Sequence, residues 1–218
     1  MTERSAWRVA ERDDATASPV TLITVPGLHG GEGAHWLTWL ARQMPGAQRV
    51  EQQDWDAPHL QTWSDAVRDV LADVNGPVVL ATHGFGSLAA AHALAHQAHP
   101  ARGAFRPLDA TVLGVLFVAP ASPARSRFAG VFDARRLEVP SLVVGSTTDP
   151  WLAIDEARAL AQRWNSAFVN LGDAGHIDTS AGFGPWPLAR HFVETLARRV
   201  CATCSNDEHA DAQQPAYC

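Results

Sequence analysis

Two polar residues far apart in the chain stand in the same kind of place. Asp149 lies in Ser146-Thr147-Thr148-Asp149-Pro150, just past the apolar run 141–144, and His176 lies in Gly172-Asp173-Ala174-Gly175-His176-Ile177, just past the run 167–170. A carboxylate and an imidazole delivered by neighbouring loops can work as a pair. The acid orients the ring and stabilises its protonated form, while the ring takes a proton from a nucleophile and returns it to a leaving group. A third position would complete the set. The run 78–81 enters Thr82-His83-Gly84-Phe85-Gly86-Ser87 and then an alanine-rich stretch. Strand, sharp turn and helix in that order form a nucleophile elbow, where small residues two positions either side of the nucleophile let strand and helix pack closely. Thr82 and Gly86 hold the outer positions, and Gly84 stands where a serine is expected.

Acyl chemistry at such an elbow also needs backbone N–H groups aimed at the developing oxyanion. The residue after the nucleophile supplies one, here Phe85, and a glycine-rich turn after an early strand supplies the other. Leu28, in Pro26-Gly27-Leu28-His29-Gly30-Gly31, is the candidate. Trp151 and Trp186 follow the acid and histidine loops and are read as pocket walls. His29, beside the oxyanion turn, is read with them, as is His35, with structural roles equally open. Asp173 is the alternative acid, but Asp149 holds the loop position that the chain order nucleophile, acid, histidine requires. Ser87 sits almost a helical turn beyond Gly84 and would point along the helix, so it is not the residue expected to stand in for the nucleophile. His83 is read as filling space and bonding a backbone group.

Other patterns compete with this one. Gly84-Phe85-Gly86-Ser87-Leu88-Ala89 also satisfies a G-x-G-x-x-A dinucleotide fingerprint. That reading wants an acid at the end of the next strand, and the chain there reads Leu116-Phe117-Val118-Ala119-Pro120. Cys201-x-x-Cys204 with His209 and Cys218 lacks a second regular pair, so no metal is expected. His92, His96 and His99, at near-helical spacing, read as a solvated face.

The elements that must position these residues follow from alternation. Short apolar runs rich in β-branched residues, at 20–25, 77–81, 111–118, 141–144 and 167–170, alternate with longer amphipathic stretches at 36–43, 87–96, 154–164 and 187–199. This predicts an α/β fold, a mostly parallel sheet with helices on both faces. Residues 122–138 have no clean period and are expected to run over the carboxyl ends of the strands, where such sheets bind ligands. Residues 1–19 and 201–218 read as polar tails around one domain at 20–200. The 218 residues carry a formal net charge of −6 and no basic cluster, which argues against a nucleic-acid or anionic-membrane partner. With no apolar run long enough to span a bilayer, no signal-like start, and cysteines confined to the last stretch, a cytoplasmic protein is expected.

The motifs in their order carry a resemblance. Pro26-Gly27 followed by His35-Trp36 and Trp39, then Asp54-Trp55, Pro58 and Trp63, then His83-x-Phe85-Gly86, Ser146 to Pro150, and Gly175-His176-Ile177 continuing to Gly182-Phe183-Gly184-Pro185-Trp186-Pro187, resemble the RBBP9/YdeN family of small serine hydrolases. The resemblance implies an α/β-hydrolase fold without a large cap domain, a Ser-His-Asp triad, no cofactor, and small-molecule ester or acyl substrates. Asp149 and His176 match the acid and base; Gly84 replaces the nucleophile. Glycine has no side-chain oxygen, so the expectation is a hydrolase inactive or strongly impaired as written. A non-catalytic ligand-binding or regulatory protein built on the same pocket is the alternative. A nucleotide-binding oxidoreductase is the second.

Overall fold

The computed structural model describes residues 19–31, 33–96 and 110–207. The N-terminal polar segment, the loop 100–109, His99, and His209 and Cys218 of the Cys/His set lie outside the described residues. Six strands form one parallel sheet: β1 (Thr21–Val25), β2 (Gln48–Arg49), β3 (Gly76–Gly84), β4 (Ala110–Pro120), β5 (Ser141–Gly145) and β6 (Ala167–Asn170). Their order across the sheet is β2-β1-β3-β4-β5-β6. Five helices join them: α1 (Trp36–Gln43), α2 (Leu60–Asp73), α3 (Phe85–Ala95), α4 (Ile154–Trp164) and α5 (Pro187–Asp207). Single 3₁₀ turns occur at Leu28–Gly30 and Thr179–Ala181.

Strand residues alternate between two cores, as the two-residue period of a strand requires. Ile23, Val78, Leu80, Val115 and Phe117 pack under α2, α3 and α4, whereas Leu22, Val79, Ala81, Leu116 and Val118 pack under α1 and α5. Both faces are therefore helix-covered, as expected for an α/β-hydrolase. Helix α3 is buried almost all round. Its alanines let it lie close to the central strands.

Strand β2 has no counterpart among the five apolar runs of the sequence, and three further features differ from the sequence reading. Helix α2 occupies a stretch to which no helix was assigned, although Leu60, Trp63, Val67 and Leu71 all face the core on its buried side. Helix α5 runs on to Asp207, into the stretch read as a tail. His92 is not on a solvated face but buried, with its ring stacked on His96 at 4.1 Å. Among the described residues, no helix is long and apolar enough to cross a membrane.

The sheet reverses direction of growth between β1 and β3. In open α/β sheets the crevice at such a switch point, beyond the carboxyl ends of the strands, is where ligands bind. Here it is flanked by the Pro26–Gly31 turn after β1 and the elbow after β3. Residues 122–138 do cross this end of the sheet: Ser126 reaches the crevice and Phe128 packs on Phe85 at 5.3 Å.

Candidate active site

Gly84 ends β3 and caps α3 with φ 54° and ψ −126°. An L-residue pays strain in that region, whereas glycine enters it with little penalty. A Cβ on Gly84 would meet Gly27 Cα at 3.6 Å and His176 Nε2 at 3.8 Å, both ordinary contacts, so a side chain has room there and would point at the imidazole. Gly86 is the opposite case. A Cβ on it would lie 2.3 Å from the Pro26 carbonyl oxygen and 2.5 Å from that of Val25, so α3 and the turn after β1 touch backbone to backbone. Glycine at 86 thus serves helix–strand contact and leaves no space there for a pyrophosphate.

Below the turn, the Thr82 hydroxyl donates to the Leu116 carbonyl at 3.1 Å. Its single proton is committed, so in the 2.8 Å contact between the two hydroxyls Ser87 donates to Thr82. Both are buried. Ser87 therefore points into the core and away from the crevice, as its helical position predicts.

On the other side, His176 Nδ1 lies 3.0 Å from both carboxylate oxygens of Asp149. A carboxylate only accepts, so Nδ1 carries the proton and Nε2 presents its lone pair toward Gly84. The Asp149 side chain is 2% exposed and that of His176 17%, a shielded acid behind an accessible ring. Trp151 N–H adds a bond of 2.9 Å to Asp149. The two loops are laced together. Ser146 Oγ donates to the Gly172 carbonyl and accepts from the Ala174 amide. Thr148 Oγ1 donates to Asp173 at 2.7 Å and accepts from the Gly175 amide. Asp173, the alternative acid, thus braces the histidine loop and does not contact the imidazole through any of these bonds.

The crevice between these groups encloses about 400 Å³, within the ~300–1,000 Å³ usual for small-molecule sites. Gly84, Phe85, His176, Leu28, His29 and Trp151 all line it. Leu28 and Phe85 each begin a helical turn, where the first amides have no intrahelical acceptor. His29 is at the rim, paired with Asp56 at 2.8 Å. Trp151 stands at the mouth, 63% exposed. Trp186 does not join them. It is 8% exposed and packs edge-to-face on Trp36 and Phe183, both at 5.2 Å, in the core under α1 and α5. The expectation of a pocket wall is corrected: nearness to His176 in sequence is not nearness to the cleft.

A family profile described as "Serine hydrolase" matches residues 22–195. A YdeN-like hydrolase from Pectobacterium atrosepticum is 36% identical, over 82% of this chain and 93% of that one, with a TM-score of 0.69. The chain belongs to the RBBP9/YdeN family of serine hydrolases. The ydeN gene product of B. subtilis shares the fold at 19% identity and a TM-score of 0.66, over 82% of this chain and 98% of that one. An esterase domain of a Rhodothermus marinus protein does so at 17% and 0.55, over 85% and 89%. No curated protein matches the sequence.

Around this serine hydrolase framework, His83 bonds a backbone group and His35 takes a structural role, as the sequence suggests, whereas Arg49 and Asp178 carry roles that no motif marks. His83 Nε2 lies 2.9 Å from the His176 carbonyl, an obligate acceptor, so Nε2 carries the proton and holds the backbone at His176 in place. Burial, helped by the nearby His176 and His35 rings, pushes His83 down to about 3. His35 caps α1, accepting from Leu37 N–H, and burial pushes it down to about 4 against the opposing pull of Asp178. Arg49 bonds the Gly30 carbonyl and lies over the Trp55 ring, fixing the Leu28–Gly30 turn from outside. Asp178 lines the crevice; burial would raise its carboxyl, but bonds from Ser180 and the Ala181 amide, with His176 nearby, hold it below the usual value.

Proposed function

We propose that this chain is an acyl-ester hydrolase framework in which binding, base and oxyanion groups are retained while the covalent step is removed at Gly84. The observation that carries this is the Asp149–His176 pair, with the Nε2 of His176 3.8 Å from where a Gly84 Cβ would sit. A hydroxyl one bond beyond that Cβ falls within the ~2.6–3.2 Å reach of a general base. In a serine chain, His176 would take the hydroxyl proton, Asp149 would stabilise the imidazolium, and the Leu28 and Phe85 amides would hold the oxyanion. With glycine, no acyl-enzyme forms. The crevice lining carries Asp178 and, among the described residues, no lysine or arginine, which favours small esters with uncharged acyl groups.

A binding role without turnover is supported by a separate observation. The positive φ of Gly84 makes glycine the least strained choice there, and the crevice does not depend on a serine for its walls. A fluorophosphonate probe tests the reading. The chain as it stands should not be labelled, and Gly84→Ser should be; absence of labelling in Gly84→Ser would overturn the assignment of Asp149 and His176.

A further inference from the structure

Glycine at position 84 leaves His176 without a hydroxyl partner and a notch directly in front of its ring. The Cβ position on Gly84 clears its nearest neighbours by 3.6 and 3.8 Å, and the second of these neighbours is the lone-pair nitrogen of His176. A hydroxymethyl group would fit in that direction. One water, whose share of liquid volume is ~30 Å³, demands no more room. The notch opens on the crevice, because Gly84, His176, Leu28 and Phe85 all line it together.

We propose that the chain hydrolyses activated esters slowly in a single displacement, with water in the place of the serine hydroxyl and His176 as its general base. The inference rests on the acyl-ester reading of the crevice. His176 Nε2 takes one proton from water as the water oxygen bonds to the acyl carbon. The carbonyl electron pair moves to its oxygen, which faces the Leu28 and Phe85 amides. Collapse of the tetrahedral adduct re-forms the carbonyl, breaks the bond to the leaving group, and returns the proton from Nε2 to that group. Ester and water become acid and alcohol, with no covalent intermediate and no co-reactant. Because water is a weaker nucleophile than a positioned alkoxide, the substrates are those with good leaving groups, aryl esters and thioesters of uncharged acids.

Two features of the site keep the base competent without its serine. Asp149 fixes the tautomer through Nδ1, and His83 holds the His176 carbonyl from the opposite side. Neither contact involves Gly84. The ring therefore needs no third partner to stay aimed at the notch.

The test is hydrolysis of p-nitrophenyl butyrate by the purified chain after exhaustive fluorophosphonate treatment, which silences any serine esterase carried through purification. The expected result is a rate above buffer, without a burst, unaffected by the probe. Asp149→Asn, which keeps the packing but places the proton on Nε2, should lower that rate by about 10²-fold or more. His176→Ala should do the same, and Gly84→Ala, whose methyl fills the notch, should also suppress it. A rate that the probe abolishes, or one equal in the native chain, Asp149→Asn and His176→Ala, overturns the proposal. Failure of the underlying reading shows elsewhere, as Gly84→Ser that takes no label, so the two can be told apart.

Discussion

The loops that carry Asp149 and His176 are laced to each other by side-chain hydrogen bonds, whereas the elbow that carries Gly84 is set against the turn after β1 by close backbone contact. On the first side, Ser146 and Thr148 between them engage two amides, a carbonyl and a carboxylate of the facing loop. Directional bonds of this kind set distance and angle together, which an acid–base pair needs. On the second side, backbone atoms of α3, β3 and the turn after β1 approach within van der Waals range because glycine occupies positions 27 and 86. Contact fixes position and tolerates a change of chemistry at Gly84, provided the backbone torsions survive. The two sides meet through the His83–His176 bond, which does not involve Gly84, so the side chain at position 84 is separable from the loops.

The sharpest test of that separation is Gly84→Ser. Placing a hydroxyl there should raise turnover of an activated ester by up to the order of 10⁶, the cost of the reverse change in a comparable triad. The same substitution should lower stability by about 1–3 kcal/mol, because serine must adopt φ 54°. Opposite signs in kcat/KM and in the denaturation midpoint are the expected signature. A gain in activity without a loss in stability would mean that the torsion is less costly than its region implies.

Gly86→Ala should break the contact side. Its methyl would lie 2.3 and 2.5 Å from two backbone carbonyl oxygens, neither of which can swing aside like a side chain. Either α3 or the turn after β1 must move. A loss of about 1–3 kcal/mol is expected from overpacking, read by urea denaturation, and in a Gly84→Ser background activity should fall as the Leu28 and Phe85 amides separate.

Ser146→Ala should loosen the bonded side. It leaves the buried Ala174 amide without its Ser146 acceptor, while the Gly172 carbonyl keeps the Thr147 N–H, with a cost of about 1–3 kcal/mol. Its effect on a Gly84→Ser enzyme should appear in kcat more than in KM, because the base shifts while the crevice walls on the β1 side stay put.

How much of this the sequence carried depended on whether a role is local. Gly84, Asp149 and His176 were legible because each sits in a turn whose glycines and flanking strand announce it within a few residues. Leu28 and Phe85 followed from the same turns. Helix α2 is less legible: Leu60, Trp63, Val67 and Leu71 repeat at helical spacing, but the tryptophans and the proline just before and within it mask that period. Trp186 was misplaced because the chain turns away after the Thr179–Ala181 turn and delivers it to the core. Arg49 and Asp178 had no signal of their own; their roles exist only in their partners, the Gly30 carbonyl and the crevice itself. His83 was legible as a ring bonding a backbone group, but not that the group is the His176 carbonyl.

The acid response ties the two sides together. His83 belongs to the elbow strand and bonds the histidine loop, and it is buried as the neutral ring. Above pH 6.5 the ring is neutral in folded and unfolded chains alike, so it adds no pH dependence. Below 6.5 the unfolded chain takes up a proton that the folded ring refuses until about 3, so the unfolded state binds more protons and stability falls as pH falls. His35 behaves likewise down to about 4. Each such ring contributes at most about 1.4 kcal/mol per pH unit across its window. Urea denaturation between pH 6 and 4 should therefore show a steep loss, and His83→Phe should flatten it by up to one ring's share while lowering stability at pH 8 through the lost bond to the His176 carbonyl. An unchanged slope would mean that His83 takes up a proton in the folded chain as readily as in the unfolded one.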